Sequence, residues 1–465
     1  MIRYLAAALL LLASPALAAE PAIPDTPMGH ALGEYLSTFN AADRAGIAAF
    51  IAKYHRQRTV EETLDFRAQT GGLTLLKIET DTPQGVTAFV GEKESDAIYR
   101  FVVKIDPANP TGPWDIHIEG IPRPPEFAPP RLSEKDALAA LAARADALAS
   151  RDRFSGDLLI ARHGRIVFEK GWGLADRDAR TPVDTHMKFR FGSMGKMFTA
   201  VAILQLVAQG KVSLDATLGT YLPDYPNKDL AAKVTIRELL NHTAGAGDIF
   251  GPDFDAHRLE LKTVGDYLKL YGARAPEHVP GAEDGYDNYG FVLLGAVIEK
   301  VSGSDYYRYL DDHIFRPAGM HDTDALPDDG SIAGLVPGYM HKDGALVPNT
   351  ATLPYRGSPA GGGYSTLRDL LKFAAALQSG TLVPKALLAE ATRPENHARW
   401  YGYGFETHAD DTPPYFGHSG GAPGMNGELR IFPNQDRVVI GLDHLDNSGA
   451  SVLVDYYTLR MPLAH

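Results

Sequence analysis

The sequence predicts a small α+β domain followed by a larger α/β domain, and three observations lead to this prediction. Residues 121–130 carry five prolines in ten positions, which favours a stiff, extended spacer over a helix or a central strand. Before that run, two helical patterns precede four strand patterns. After it, strand patterns stand at both ends of the remaining chain and helical patterns lie between them, as in an α/β domain.

Length and composition indicate a soluble globular protein with more than one domain. The chain has 465 residues, enough for about two to three domains. Apolar residues make up 45% and charged residues 22%, which excludes a disordered, collagen-like or polytopic membrane protein. The net charge of −13 would repel a phosphate backbone, and no basic stripe offsets it. We therefore expect no nucleic-acid partner.

The first 18 residues are typical of an export signal. Arg3 gives a positive start, residues 5–12 form an apolar run, and residues 16–18 match a small-x-small cleavage site. A membrane anchor is the alternative, but the run is short for a span and Pro15 interrupts it. Cleavage after Ala18 would remove the one positive charge of this segment and change the net charge from −13 to −14. We expect a periplasmic or secreted protein without stable membrane insertion.

The residue types that hold metals and cofactors show no matching pattern. The absence of cysteine excludes disulfides, thiolate metal sites, a cysteine nucleophile and a lipoprotein anchor. The 16 histidines contain no His-x-x-x-His or His-Glu-x-x-His pair, and no glycine-rich run has phosphate-loop spacing. Asp253 and Asp255 lie in residues 247–257, which we interpret as a solvated loop bordering a cleft rather than as a metal site. We therefore expect no metal and no cofactor.

Residues 19–120 form the predicted N-terminal domain. Apolar residues at helical spacing cover residues 30–40, and Asp43 is placed to cap a second helix. Strand patterns follow at residues 73–80, 86–90, 98–105 and 114–119. Two helices followed by a four-stranded antiparallel sheet resemble the nuclear-transport-factor-like fold in element order. Because no acid–base constellation lies here, the role of this domain stays open between substrate gating, dimerisation and packing.

Residues 121–131 form the predicted linker, and residues 132–465 form the second domain. Ser133, with Asp136 three residues later, marks the start of a helix rich in Ala and Leu. Gly164 supplies the positive φ for the turn of a hairpin that follows. The strand patterns of this domain cover residues 157–161, 166–170, 427–433 and 438–443.

Ser193 and Lys196 form the first chemical motif, a Ser-x-x-Lys at the start of an apolar helix. A serine there lies at the positive end of the helix dipole, beside free backbone N–H groups. Lys196 lies one turn along the same face, so its amine can reach the serine hydroxyl. Alone the motif is weak, because a serine is a common helix cap and about one Ser-x-x-Lys is expected by chance in such a chain.

Tyr286 and Asn288 form the second motif, Tyr-x-Asn, in which both side chains point to the same side of an extended chain. A phenol titrates near 10, and we expect a close ammonium to lower the Tyr286 pKa far enough for a general base. Taken alone, the motif is better explained as a packed loop tyrosine.

His418, Gly420 and Gly421 belong to the third motif, His-Ser-Gly-Gly, which precedes the C-terminal strands. On an edge strand facing the serine, its backbone N–H groups would form an oxyanion hole. Taken alone, this motif is better explained as a glycine-rich turn.

Together and in this order, the three motifs resemble those of the serine β-lactamase and penicillin-binding-protein superfamily, over residues 150–460. The class C-like branch of carboxylesterases, D-amino-acid peptidases and β-lactamases is the most similar. Residues 234–245 (VTIRELLNHTAG), residues 361–366 (GGGYST) with Asp369, and residues 401–405 (YGYGF) support the resemblance. It implies a β-lactamase-like antiparallel sheet flanked by helices, with an all-helical subdomain. The resemblance does not extend to the N-terminal domain.

The resemblance implies a role for each matching residue. Ser193 would be the acylated nucleophile, and Lys196 and Tyr286 would share its proton. Tyr286 would later pass that proton to the leaving group or activate water. Asn288 would orient Lys196 and the substrate, and the backbone N–H groups of Ser193 and Gly421 would hold the oxyanion.

Two positions depart from the pattern of this superfamily. His418 stands where β-lactamases have the lysine of Lys-Thr-Gly, and a neutral imidazole weakens recognition of a β-lactam carboxylate. The same replacement is common among the esterases and peptidases of the superfamily. Asp287 stands where a small residue is usual, and its charge either disfavours anionic substrates or points to solvent.

We therefore expect an exported serine hydrolase that cleaves ester or amide bonds of a small-molecule or peptide substrate through an acyl-enzyme, most similar to an esterase. A D,D-peptidase or weak β-lactamase acting on cell-wall peptides is the alternative. A non-catalytic envelope-binding protein is an alternative of another class. Intact Ser193, Lys196 and Tyr286 argue against it, because such a protein is free to lose them. The oligomeric state stays open.

Overall fold

The computed structural model describes residues 21–54, 58–109, 114–328, 332–342, 345–446 and 448–464. The chain divides into two compact units, the second of which begins at Pro129. This division lies within the predicted linker, while the domain boundaries 19–120 and 132–465 stay predictions. The predicted signal segment, residues 1–18, lies outside the described residues.

The first unit combines helices with a four-stranded antiparallel sheet. Its elements are α1 (Pro27–Asn40), α2 (Arg44–Tyr54), α3 (Val60–Thr70), β1 (Leu73–Thr82), β2 (Gly85–Glu92), β3 (Ile98–Lys104) and β4 (Asp115–Gly120). The strands lie in chain order, β1-β2-β3-β4. Thr26 caps α1 by accepting a hydrogen bond from Gly29 N, and Leu32 and Tyr35 of α1 share the buried core with Phe101 of the sheet.

The prediction of two helices in this unit is wrong, because α3 is a third. Thr59 caps α3, and its backbone N–H and hydroxyl bind the Glu62 carboxylate in a capping box. Only Thr63 and Thr70 of α3 are buried. The helix therefore lacks the apolar periodicity on which the prediction of the other two rests. The likeness to the nuclear-transport-factor-like fold stays a prediction.

The second unit is a mixed α/β fold. Its helices are α4 (Glu134–Ala149), α5 (Lys196–Ala208), α6 (Leu218–Tyr221), α7 (Lys228–Lys233), α8 (Ile236–Leu240), α9 (Pro252–His257), α10 (Val264–Tyr271), α11 (Asn288–Ser302), α12 (Tyr306–Leu310), α13 (Arg316–Ala318), α14 (Leu367–Ser379), α15 (Lys385–Ala391) and α16 (Gly449–Arg460). Its strands are β5 (Gly156–Arg162), β6 (Arg165–Trp172), β7 (Leu174–Asp176), β8 (Thr181–Pro182), β9 (Phe189–Arg190), β10 (Tyr339–Lys342), β11 (Ala345–Pro348), β12 (Tyr364–Ser365), β13 (Glu406–His408), β14 (Tyr415–Ala422), β15 (Met425–Phe432) and β16 (Arg437–Asp443).

A six-stranded antiparallel sheet joins the two ends of this unit, in the order β13-β14-β15-β16-β5-β6. Ile440 of β16 lies opposite Leu159 of β5, so the predicted sheet built from both ends is confirmed. Leu158 and Ile160 share one core with α4 and α16, whereas Leu159 and Ala161 share another with α5 and α11. This alternation follows from the two-residue period of a strand, and it means that helices cover both faces.

The helices from α5 to α13 fill the middle of the unit, as predicted. Helix α5 is apolar on nearly all sides, which suits a helix packed among others rather than on a surface. No helix within the described ranges has both the length and the apolar character required to cross a membrane.

Asp443, at the end of β16, is a buried carboxyl whose ionisation opposes folding. Burial raises its pKa from 3.8 to about 8, although the backbone N–H groups of Ser155 and Leu445 bind its Oδ1. Its Oδ2 has no hydrogen-bond partner among the described residues. Since the folded state holds this proton more tightly than the unfolded state, stability is lost as the pH rises from 3.8 to about 8.

We expect Asp443→Asn, which resembles the neutral acid, to reduce this pH-dependent loss. The free energy of unfolding at about pH 8 should exceed that of the wild type by about 1 kcal/mol or more. Urea unfolding of both proteins at about pH 5 and about pH 8 measures the effect. An identical pH dependence in the two proteins would contradict the assignment.

Candidate active site

Ser193 lies in a 3-10 turn, Gly192–Gly195, that leads directly into α5. Gly192 has a φ of 54°, in the left-handed region that favours glycine. A Cβ at Gly192 would lie 2.9 Å from the backbone N of Gly421 on β14. Position 192 therefore requires glycine both for its backbone conformation and for its close approach to Gly421. This approach places the serine turn against the end of β14.

Lys196, the first residue of α5, meets Ser193 as predicted. Its Nζ lies 3.2 Å from Ser193 Oγ and 2.7 Å from Asn288 Oδ1, and it also donates to the carbonyl oxygen of Ala360. A neutral amine has two N–H donors and one lone pair. Donation to Asn288 and Ala360 therefore turns the lone pair toward the Ser193 hydroxyl, which is the geometry of a general base.

The surroundings of Lys196 favour that neutral form. The side chain is fully buried, and burial lowers its pKa from 10.5 to about 7, although the charges of Asp248, Asp287 and Glu406 oppose the shift. A substantial fraction of Lys196 is therefore uncharged at neutral pH, and the fraction grows as the pH rises.

Tyr286 lies over Lys196, whose Nζ is 4.6 Å from the centre of the phenol ring. Tyr286 is 40% exposed as a whole residue, but burial of its hydroxyl raises its pKa, while a hydrogen bond with Ser193 opposes the rise. The expectation that a close ammonium lowers this pKa is wrong, because Lys196 itself loses its charge near neutral pH. Tyr286 is a protonated phenol here, which suits a proton donor.

Asn288 is oriented by Asp248, a carboxylate that no sequence motif marks. Asp248 Oδ1 accepts hydrogen bonds from Asn288 Nδ2 at 2.9 Å and from the backbone N–H groups of Ile249 and Phe250. Because the amide nitrogen of Asn288 is bound in this way, its oxygen faces Lys196. Asp248 thus acts on the site through Asn288.

Gly420 and Gly421 lie on β14, against the serine turn. A Cβ on Gly420 would lie 2.0 Å from the carbonyl oxygen of Phe191 and 3.1 Å from Ser193 N. A Cβ on Gly421 would meet nothing nearer than an oxygen of Met425 at 4.0 Å. Of these two positions, only position 420 requires glycine for the close approach of β14 to the serine turn. The oxyanion role of the N–H groups of Ser193 and Gly421 stays a prediction.

This difference predicts opposite outcomes for two neighbouring variants. Gly420→Ala should push β14 away from the serine turn and destabilise the protein by about 1–3 kcal/mol. Gly421→Ala should leave the thermal unfolding midpoint unchanged, because the new methyl group has free space. Thermal unfolding of both variants checks this, and equal midpoints would contradict the packing described here.

His418, also on β14, is buried with 1% of its surface exposed. Its Nε2 lies 2.7 Å from the Tyr401 hydroxyl, and its Nδ1 lies 3.4 Å from Glu406 Oε1. Burial lowers the pKa of His418, and Glu406 opposes the shift. A buried, neutral imidazole provides no cation for a substrate carboxylate. Substrate binding by His418 stays a prediction.

Asp287 does not point to solvent, so that alternative is wrong. It is the buried N-cap of α11, and its Oδ1 accepts from Gly290 N at 2.7 Å while its Oδ2 accepts from Ala246 N at 2.9 Å. These two backbone donors hold the carboxyl inside, where burial raises its pKa to about 7. The expectation that its charge disfavours anionic substrates stays a prediction.

A cavity of about 340 Å³ opens beside Ser193. Residues 247–257 contribute Ile249, Phe250, Phe254 and Asp255 to its wall, so the expected position of this segment at a cleft is confirmed. The expected solvated loop is wrong in part, because Pro252–His257 form α9, whose Phe254 is buried. Its remaining lining residues are Gly192, Tyr267, Thr352, Leu353, Pro354, Ser358, Ala360, Gly361, Gly362, Gly421, Ala422, Pro423 and Met425. Asp255 is the one charged side chain among the described lining residues.

Two parts of the site escape sequence reasoning for identifiable reasons. The Ala360 contact comes from a backbone carbonyl, which any residue would supply. Asp248 and Tyr401 act through partners 40 and 17 positions away, so only the folded chain brings them together. Across the described ranges, no group of three or more His, Asp or Glu side chains is arranged to hold a metal ion.

The second unit is similar in sequence to proteins that are already known. A family model described as Beta-lactamase matches residues 139–459. Penicillin-binding protein 4* of Bacillus subtilis (strain 168) is 30% identical over 320 residues, which cover 64% of this chain and 70% of that protein. Esterase EstB of Burkholderia gladioli is 28% identical over 320 residues, which cover 59% of this chain and 81% of that protein.

The fold likeness agrees with the sequence likeness. The crystal structure of a penicillin binding protein from Bacillus halodurans matches with a TM-score of 0.62 at 30% identity, covering 68% of this chain and 99% of that one. The matched range includes Ser193, Lys196, Tyr286 and the strand β14, so every part of the site lies inside it.

Proposed function

Because the chain belongs to the Beta-lactamase family, as a serine hydrolase of the β-lactamase fold, we propose that it is an exported esterase that forms an acyl-enzyme on Ser193. One observation carries this proposal. Ser193 lies within hydrogen-bond reach of a buried lysine that is partly neutral, beside an apolar cavity without a cation among its described lining residues.

The residues supply each proton step of such a reaction. Ser193 Oγ attacks the ester carbonyl carbon while its proton moves to Lys196 Nζ, and the backbone N–H groups of Ser193 and Gly421 receive the oxyanion. As the C–O bond breaks, Tyr286 gives its proton to the leaving alcohol and regains one from Lys196. Water then attacks the acyl-enzyme while the same pair takes its proton; the acyl–Oγ bond breaks, that proton returns to Ser193 Oγ, and the acid is released.

The cavity favours a neutral, apolar acyl group. Phe250, Phe254, Leu353 and Met425 line it, and burial of such surfaces contributes roughly 25 cal/mol per Å². The carboxylate of a β-lactam or of a D,D-peptide would meet Asp255 there, and the described residues that line the cavity include no Lys or Arg to oppose its charge. This charge balance supports an ester substrate over the two anionic classes.

A D,D-peptidase or weak β-lactamase is the second candidate. The 30% identity to Penicillin-binding protein 4* of Bacillus subtilis favours it, as does an export signal that would deliver the chain to the cell wall. The two candidates share the acylation chemistry and differ in the substrate that reaches Ser193.

A substrate panel separates the candidates. We expect turnover of p-nitrophenyl esters with apolar acyl chains, no labelling by a fluorescent penicillin, and no cleavage of a D-alanyl-D-alanine peptide. Labelling by penicillin together with peptide cleavage would favour the second candidate. A folded protein that is inert toward all three would favour the non-catalytic binding protein. Export is tested separately by the mass of the protein recovered from the periplasm, which should correspond to cleavage after Ala18.

A further inference from the structure

His242 holds the loop that carries Tyr286 by bonds on both sides of the tyrosine. Its carbonyl oxygen accepts a hydrogen bond from Gly285 N at 2.9 Å. Its Nδ1 accepts a second one from Asp287 N, also at 2.9 Å. Gly285 and Asp287 are the two chain neighbours of Tyr286, so one residue fixes the backbone before and after the phenol.

The imidazole ring also packs directly on the phenol. The ring centres of His242 and Tyr286 are 4.3 Å apart, and Tyr401 lies at the same distance from the His242 ring centre. Trp400 stacks on both rings, 6.1 Å from His242 and 6.4 Å from Tyr286. His242 thus limits the movement of the Tyr286 ring as well as that of its backbone.

The backbone of His242 adopts a conformation with a cost. Its φ is 64°, in the left-handed region that non-glycine residues seldom occupy and that histidine and asparagine tolerate better than most. Such a conformation persists where the surrounding contacts determine it. Here the hydrogen bonds of His242 with Gly285 and Asp287, together with its ring contact with Tyr286, are such surrounding contacts.

The bond to Asp287 requires a neutral ring with its proton on Nε2, because Nδ1 is the acceptor. Burial is the main cause that lowers the pKa of His242, and the neighbouring basic groups of Lys196 and His418 lower it further. Nε2 has no hydrogen-bond partner among the described residues. The contacts of the ring within the described residues are the N–H of Asp287 and the aromatic rings around it, and these contacts suit a residue that supports the Tyr286 loop.

We propose that His242 is a positioning residue that holds the Tyr286 hydroxyl at Ser193 and Lys196. The proposal rests on the proposed function, since it assigns a role in the same reaction. It goes beyond that function by naming the residue on which the placement of the proton donor depends.

Two variants separate the two contacts that the His242 side chain makes with the Tyr286 loop, which are the Nδ1 acceptor and the packing of the ring. His242→Asn keeps an acceptor at the δ position and tolerates the positive φ, but it loses the ring. His242→Phe keeps a ring but loses the acceptor. We expect each variant to lower kcat for a p-nitrophenyl ester roughly 10- to 100-fold, with KM changed less than about threefold. The loss in kcat should stay below the roughly 10²- to 10⁴-fold contribution of a proton-transfer group, because the phenol is displaced rather than removed. Thermal unfolding verifies that each variant is folded.

The decisive readout is a double-mutant cycle with Tyr286→Phe. If His242 acts through the Tyr286 hydroxyl, its replacement should change kcat less than about threefold once that hydroxyl is gone. Equal losses in kcat with and without the hydroxyl, in folded proteins, would overturn the proposal and leave the proposed function standing. No turnover by the wild type would overturn the proposed function itself, and the inference about His242 with it.

Discussion

Replacement of Ser193 by alanine is expected to lower ester hydrolysis by roughly 10⁴- to 10⁶-fold, the loss seen when a serine hydrolase loses its nucleophile. The variant keeps the cavity and its apolar wall, so substrate binding should survive. It removes only the oxygen that lies 3.2 Å from Lys196 Nζ. We therefore expect the loss in kcat rather than in KM.

Steady-state kinetics with a p-nitrophenyl ester measures this loss, and Ser358→Ala is the matched control. Ser358 lines the same cavity and offers the same hydroxyl group. Its replacement should change kcat/KM less than about tenfold, because its hydroxyl accepts a hydrogen bond from Ala360 N and donates one to the carbonyl oxygen of Gly361, so these bonds include neither Ser193 nor Lys196. Retained turnover in Ser193→Ala, or similar losses in both variants, would show that another residue is the nucleophile.

Replacement of Lys196 should abolish activity whether or not the new residue carries a charge. Arginine keeps a cation but stays protonated at any useful pH, so it cannot take the serine proton. Methionine has a similar length and suits a fully buried position, but it has no basic atom. We expect kcat/KM to fall roughly 10³- to 10⁴-fold in both variants. If arginine retained activity, a positive charge rather than a base would be the requirement.

The same lysine sets the pH dependence of the wild type. Its pKa of about 7 means that the base is protonated and inactive below that pH and free above it. We expect kcat/KM to rise with pH through about 7 and then to level off. Rates measured from about pH 5.5 to about pH 9 check the sign. A profile that is flat through neutral pH would contradict the role of Lys196 as the base.

Patterns within short segments of the sequence correctly predicted helix starts, hairpin turns and strands, because residues close in sequence determine these features. Ser133 accepts a hydrogen bond from Asp136 N and begins α4, as its spacing predicts. The hairpin of β5 and β6 turns at His163 and Gly164, and the φ values of these two residues, 50° and 68°, are those of the expected turn. The paired strands of the sheet followed from their apolar patterns and were confirmed within a few residues.

The candidate site shows the limit of such patterns. Ser193, Lys196 and Asn288 belong to recognisable motifs, and the structure brings them together. Their supports lie outside the Ser-x-x-Lys and Tyr-x-Asn motifs. Asp248 orients Asn288 from 40 positions away, and His242, which belongs to the segment 234–245, holds the Tyr286 loop, although that segment gave no hint of this contact. Hydrogen bonds between distant segments, and pKa values set by burial, arise only after the chain has packed.

The central claim is that Ser193 is a nucleophile activated by its surroundings, and the mass of the intact protein after treatment with a fluorophosphonate probe tests it most directly. We predict one adduct on the wild type, mapped to the peptide that contains Ser193, and no adduct on Ser193→Ala. An adduct on both proteins, or none on a wild type shown to be folded, would contradict the claim.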